Sequence, residues 1–180
     1  MRIYQSQKLN LREKSVVFID WANVYGWHLR VEPKTLFKYL KKHSQIELIN
    51  FYFGTDNNEK SQNFIKQMQK IGYIVNTKAV KYIVVGKVAN TLIKKRKCDF
   101  DIEICMSVYD CLTKDYQSFI FFSGDGDLAP IYKYLIEKGK QVIVVFEKGH
   151  VGREVWEIKK GLFKTRLSYL NIDKKIIPQK

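Results

Sequence analysis

The chain is poor in proline and cysteine, with three of each among 180 residues. Cys98, Cys105 and Cys111 are odd in number and lack C-x-x-C spacing. That usage excludes a disulfide framework, argues against redox or zinc chemistry, and suits reduced thiols in a cytoplasm. No apolar run approaches the roughly 20 residues of a membrane helix. The opening MRIYQSQKLNLREKS lacks the apolar centre of a signal peptide. A cytoplasmic chain without membrane contact is therefore expected. His28, His43 and His150 sit in polar contexts and read as surface residues. No internal repeat or low-complexity block breaks the sequence.

Acidic residues are also scarce. Eighteen Asp and Glu face 32 Lys and Arg, a formal net charge of +14. Between Lys60 and Lys97 there are ten basic residues and no acid. A field of one sign on one segment points to a polyanionic partner. The alternative is a lysine-rich surface with no such meaning. A membrane-surface role lacks the basic amphipathic helix it would need.

Strand-like and helix-like patterns alternate. SVVFID (15–20), IELINFYF (46–53), YIVN (73–76), SFIFFS (118–123) and QVIVVF (141–146) are short runs of β-branched and aromatic residues. AVKYIVV (79–85) reads as an edge hairpin or an extension of its neighbour, and RLSYLNI (166–172) as the last element. Helical spacing marks 33–43, 57–72, 100–112 and 128–139, with a short helix at 153–161. This alternation predicts an α/β fold, a mainly parallel central sheet covered on both faces. One domain over 1–172 is expected, with 173–180 as a flexible basic tail.

In open α/β sheets ligands bind at the carboxyl ends of the strands. Asp20 closes the first strand, in FIDWAN. Asp125 and Asp127 follow a later strand, in FIFFSGDGDLAP. Asp101 opens a helix, with Asp99 and Glu103 beside it in KCDFDIEIC. Carboxylates gathered at one rim raise one another's pKa or demand a cation. Oxygen-only ligands suit Mg²⁺ or Mn²⁺. Gly124 and Gly126 permit a tight path that aims Asp125 and Asp127 at one place, and Ser123 adds a hydroxyl. The plain alternative is a turn built from good turn formers. Asn23 either orients a ligand or phosphate, or caps the segment after the strand. Lys97 either meets the acids or a substrate phosphate, or is one more lysine of KKRK.

These elements together resemble the NYN-domain family of PIN-like ribonucleases. DWAN after an apolar strand, K-x-x-x-D-I-E-I opening a helix, FFSGDGDLAPI, and GKQVIVVF carry the likeness from about Val16 to Leu170. It implies a PIN-like three-layer α/β/α sandwich, a divalent-metal site, and hydrolysis of RNA phosphodiester bonds. Carried over by motif, Asp20, Asp101, Asp125 and Asp127 are the acidic positions, with Asn23 beside them. One or two ions held there would activate water, with Asn23 and Ser123 orienting water or phosphate. Where the family commonly has another acid after the Asp101 position, this chain has Ser107. Lys78, Lys81, Lys87, Lys94, Lys95 and Arg96 would hold RNA, expected to be single-stranded. Trp21, Tyr25, Trp27 and Tyr82 are candidates for base stacking. Ala22 stands where a haloacid-dehalogenase-type phosphatase needs a second Asp, and +14 is an odd charge for a receiver domain. The remaining rival is a non-catalytic RNA-binding or assembly module on the same fold. A homodimer stays open.

Overall fold

In a computed structural model of the chain, the structure describes residues 9–88, 91–173 and 175–176. The first strand, β1 (Ser15–Asp20), runs into a short helix, α1 (Trp21–Gly26). A two-residue strand β2 (Leu29–Arg30), helix α2 (Pro33–Leu40), strand β3 (Ile46–Thr55) and helix α3 (Glu59–Ile71) follow. Then come β4 (Ile74–Ala79), β5 (Lys81–Val88), β6 (Thr91–Lys97) and α4 (Asp101–Thr113). The chain continues through β7 (Ser118–Phe122), α5 (Ala129–Glu137), β8 (Gln141–Phe146), α6 (Arg153–Glu157), β9 (Leu162–Arg166) and β10 (Lys175–Ile176).

Six strands form one parallel sheet in the order β4-β3-β1-β7-β8-β9. Helices cover it, giving the expected sandwich. The runs Val16–Ile19, Phe119–Phe122 and Val142–Phe146 are buried throughout, as strands covered on both faces must be. On one face Phe18 stacks on Phe121, which meets Tyr132 of α5. On the other, Phe51 packs against Trp21 of α1 and Phe64 of α3. Burial of each such side chain stabilises the fold by roughly 1.5–3 kcal/mol, so the rim at the strand ends rests on a stiff base.

Helix ends follow local chemistry. Asn58 caps α3 by accepting from the Ser61 amide at 2.9 Å, and Gly72 ends it at φ 115°. Pro33 sits in the first turn of α2, where its missing N–H costs nothing.

The structure corrects several element expectations. The hairpin alternative for 79–85 holds, since Lys81–Val88 pairs antiparallel with Thr91–Lys97, but β5–β6 forms its own two-stranded sheet and not an edge or extension of the main one. The last sheet strand lies at Leu162–Arg166, upstream of the 166–172 segment, which instead holds a 3₁₀ turn at Leu167–Tyr169. The short helix after β8 ends at Glu157. His28, His43 and His150 are half-buried rather than surface residues. Of the tail expected at 173–180, Lys175–Ile176 pairs with β2, and residues 174 and 177–180 lie outside the described ones. No helix among the described residues is long and apolar enough to cross a membrane.

Candidate active site

Asp20 is the last residue of β1 and the N-cap of α1, where its Oδ1 accepts from the Asn23 amide at 3.2 Å. The side chain is half-buried. Burial pushes its carboxyl up to about 6, helped by the charges of Asp125 and Asp101 and opposed by the Asn23 and Ala22 amides. Asn23 is neither a cap nor a free amide. Its Oδ1 accepts from Trp27 Nε1 at 3.0 Å and from the Gly124 amide at 3.0 Å. It therefore ties α1 to the loop after β7.

That loop is a chain of short turns. Ser123 Oγ accepts from the Asp125 amide at 3.2 Å, and Asp125 Oδ1 accepts from the Asp127 amide at 3.0 Å. Ser123 is buried, Asp125 half-buried and Asp127 exposed. The turn reading of SGDGD is thus correct as local geometry. The two glycines serve a purpose the sequence did not disclose: neither has positive φ. A Cβ on Gly124 would strike the His150 carbonyl oxygen, and one on Gly126 would strike the Glu154 carboxylate. The segment after β8 lies directly on the loop, fixed by the Gly152 amide donating to the Gly124 carbonyl at 2.7 Å.

Asp101 opens α4 and is half-buried. Burial raises its pKa, and the charges of Asp125, Asp127 and Asp99 add to the effect while Lys78 opposes it. Lys97 pairs with Asp99 at 3.0 Å and also feels Asp101 and Asp127, so it lies on the side of the acids. Partial burial works to raise the Glu103 carboxyl, but Lys78 at 2.8 Å and the backbone hold it below the usual range. Ser107 donates to the Glu103 carbonyl at 2.9 Å, one turn back along α4. The three cysteine thiols are all raised by burial, Cys111 to about 11, which leaves them protonated and poor nucleophiles.

Asp20, Asp101 and Asp125 therefore share one electrostatic field, with Asp127 on its outer side. Their donor chemistry fits a hard dication, which would remove the mutual repulsion. The buried Tyr132 hydroxyl, without a hydrogen-bond partner among the described residues, lies in the same field of Asp125, Asp20 and Asp101. In distance the acids stop short of a formed ligand shell. Among the described residues no three His, Cys, Asp or Glu side chains are grouped closely enough to hold an ion.

Comparison with known proteins decides the family. The model of the NYN domain matches residues 14–158. The chain belongs to the NYN domain family. Over 147 residues it is 27% identical to the low amplitude and bright protein LabA of Synechococcus elongatus (strain ATCC 33912 / PCC 7942 / FACHB-805), covering 77% of this chain and 76% of that protein. In fold it is similar to a protein of unknown function, VPA0982, from Vibrio parahaemolyticus RIMD 2210633. That crystal structure matches with a TM-score of 0.63 at 16% identity, over 88% of this chain and 96% of the other.

In this NYN domain the basic residues divide into two groups. Lys78 is committed to Glu103 and lies over the Phe100 ring, 4.9 Å from its centroid. Arg96 is committed to Asp56 at 3.2 Å and to the Gly54 carbonyl at 2.9 Å. Lys81, Lys87, Lys94 and Lys95 are exposed on the hairpin and make no ion pair among the described residues. Trp27 is withdrawn from any stacking role, being 1% exposed.

Sequence reasoning missed Tyr132 and Glu154. Tyr132 looked like one of the apolar positions of α5. Glu154 stands in the first turn of α6, against Gly126. Its position depends on how two loops stack, which no local pattern records.

Proposed function

We propose that this NYN domain is a divalent-metal-dependent ribonuclease that hydrolyses RNA phosphodiester bonds at the rim bearing Asp20, Asp101 and Asp125. The observation that carries the reading is that Asp20 and Asp125 stand at the carboxyl ends of the adjacent strands β1 and β7, in one field with Asp101 at the start of α4. Family membership supports a nuclease-type hydrolase.

Asp20, Asp101 and Asp125 would hold Mg²⁺ or Mn²⁺, with Asp127 joining directly or through water. The bound ion supplies charge to offset the oxyanions of the displacement and lowers the pKa of water. Asn23 fixes the Gly124 amide, and with it the position of Asp125. Its amide NH₂ is left to orient water or a phosphate oxygen. The exposed hairpin lysines attract the RNA backbone.

The other reading is an RNA-binding or assembly module without catalysis, favoured by Ser107 in place of an acid. Cleavage of single-stranded RNA with Mg²⁺ or Mn²⁺, measured for wild type, Asp20→Asn and Asp125→Asn, separates the two. Loss of cleavage in both variants with RNA binding retained is the expected result. RNA bound but uncut by the wild type would establish the module instead.

A further inference from the structure

A cavity of about 940 Å³ opens beside the acidic rim, over the carboxyl end of β3. Its walls are Trp21 and Tyr25 of α1, Phe53 of β3 and Phe64 of α3. The rings sit close together: Phe53 and Phe64 are 4.8 Å apart between centroids, Trp21 and Phe64 6.3 Å, and Trp21 and Tyr25 6.3 Å. Asn63 and Gln67, both exposed, stand along one side. Neither side chain hydrogen-bonds to another described residue.

We propose that this cavity receives an unpaired nucleobase of the RNA whose phosphate lies at Asp20. The inference rests on the reading that the rim meets RNA. Four observations converge on a base rather than on an aliphatic ligand or a protein segment. The walls are aromatic, and aromatic faces stack on every base. The amides of Asn63 and Gln67 offer both donors and acceptors, as the edge of a base requires. The charges of the lining are balanced, Lys60 and Arg96 against Glu59 and Asp56. The attraction for a polyanion on this side comes from the exposed Lys81, Lys87, Lys94 and Lys95 of β5–β6, unpaired among the described residues. Trp21 directly follows Asp20, and consecutive Cα atoms are about 3.8 Å apart. The cavity thus begins one residue from the acid, and Tyr25, 53% exposed, rather than the buried Trp21, is the wall ring most open to a base. α1 accordingly has two working faces: Asn23 turns to the loop of Asp125, while Trp21, Ala22 and Tyr25 turn to the cavity.

Double-stranded RNA cannot use this site, because its bases are stacked inside the helix. The cavity therefore selects single strands, loops or bulges.

The test is binding in EDTA, so that cleavage plays no part. A labelled single-stranded oligoribonucleotide and the same oligomer made of abasic ribose phosphates are titrated by fluorescence anisotropy. Wild type is set beside Tyr25→Ala and the double variant Asn63→Ala/Gln67→Ala, all at exposed positions, with circular dichroism confirming the fold. The expected result is that wild type prefers the base-bearing oligomer about tenfold. The variants should lose most of that preference while binding the abasic oligomer as wild type does. Equal affinity of wild type for both oligomers overturns the proposal, as does an equal loss toward both in the variants. Absence of any RNA binding overturns it too. Base-dependent binding by a protein that cleaves nothing supports the base site while ending the hydrolytic reading. Cleavage without base dependence does the reverse.

Discussion

The side-chain oxygen of Asn23 accepts the amide of Gly124 across 3.0 Å, joining the helix that follows Asp20 to the loop that carries Asp125. The same oxygen accepts the indole of the nearly fully buried Trp27. Asn23→Ala leaves both donors without this acceptor, and an unsatisfied buried donor costs about 1–3 kcal/mol. Urea denaturation should show a loss of that order. Cleavage should fall further than stability predicts, because the two acids lose their common anchor. Asn23→Asp keeps the acceptor and should recover most of the stability.

Asp20 carries a stability cost that depends on pH. Its folded pKa of about 6 lies above the ordinary 3.8, so the folded state binds this proton more tightly than the unfolded one. The cost is absent below about pH 4, grows as pH rises through the interval, and is complete above about 6. Asp20→Asn keeps a good helix cap and removes the charge. It should stabilise the protein at pH 7.5 by up to about 3 kcal/mol and by nothing at pH 3.5, read by thermal melts at both values. Mn²⁺ should raise the melting temperature of the wild type and leave that of Asp20→Asn unmoved.

Gly124 and Gly126 should respond differently to alanine. At Gly124 the obstruction is backbone, the His150 carbonyl, which cannot move aside alone. At Gly126 it is the end of the exposed Glu154 side chain, which can. Gly124→Ala is expected to cost about 1–3 kcal/mol or more, and Gly126→Ala less. Adding Glu154→Ala should relieve Gly126→Ala and leave Gly124→Ala unimproved, a difference a double-mutant cycle measures directly.

Replacing Lys81, Lys87, Lys94 and Lys95 by Gln should weaken RNA binding for all sequences alike. The slope of log affinity against log salt should flatten by about 0.7 for each lysine that meets a phosphate. Lys78→Gln should flatten it less, because Glu103 already holds that ammonium at 2.8 Å. Titrations at several salt concentrations decide the point.

How much of this was readable before folding depends on burial. β1, β7 and β8 announce themselves because strands buried on both faces must be continuously apolar, and Phe119–Phe122 is such a run. Helix α4 is legible from the spacing of Ile104, Val108 and either Cys111 or Leu112, and the structure buries Cys111 of the two. By contrast β6, TLIKKRK, is exposed along its whole length. Its order comes from pairing with β5, so no alternation of apolar and polar residues marks it. The half-buried edge strand β9 carries Lys164, which interrupts its apolar signal. At the site, the acids were visible because their residue type and order already carry the chemistry. The Asn23–Gly124 bond and the contact of Glu154 with Gly126 join distant segments and leave no local trace.

The pairing of β1 with β7 bears on when the molecule becomes competent. These strands lie far apart in the chain yet run side by side, Ile19 opposite Phe122, and contacts of such long sequence separation form late and slowly. Neither half of the polypeptide owns the reactive centre. A newly made chain therefore lacks the assembled rim until the sheet closes, and on closure scaffold and acidic cluster arrive together.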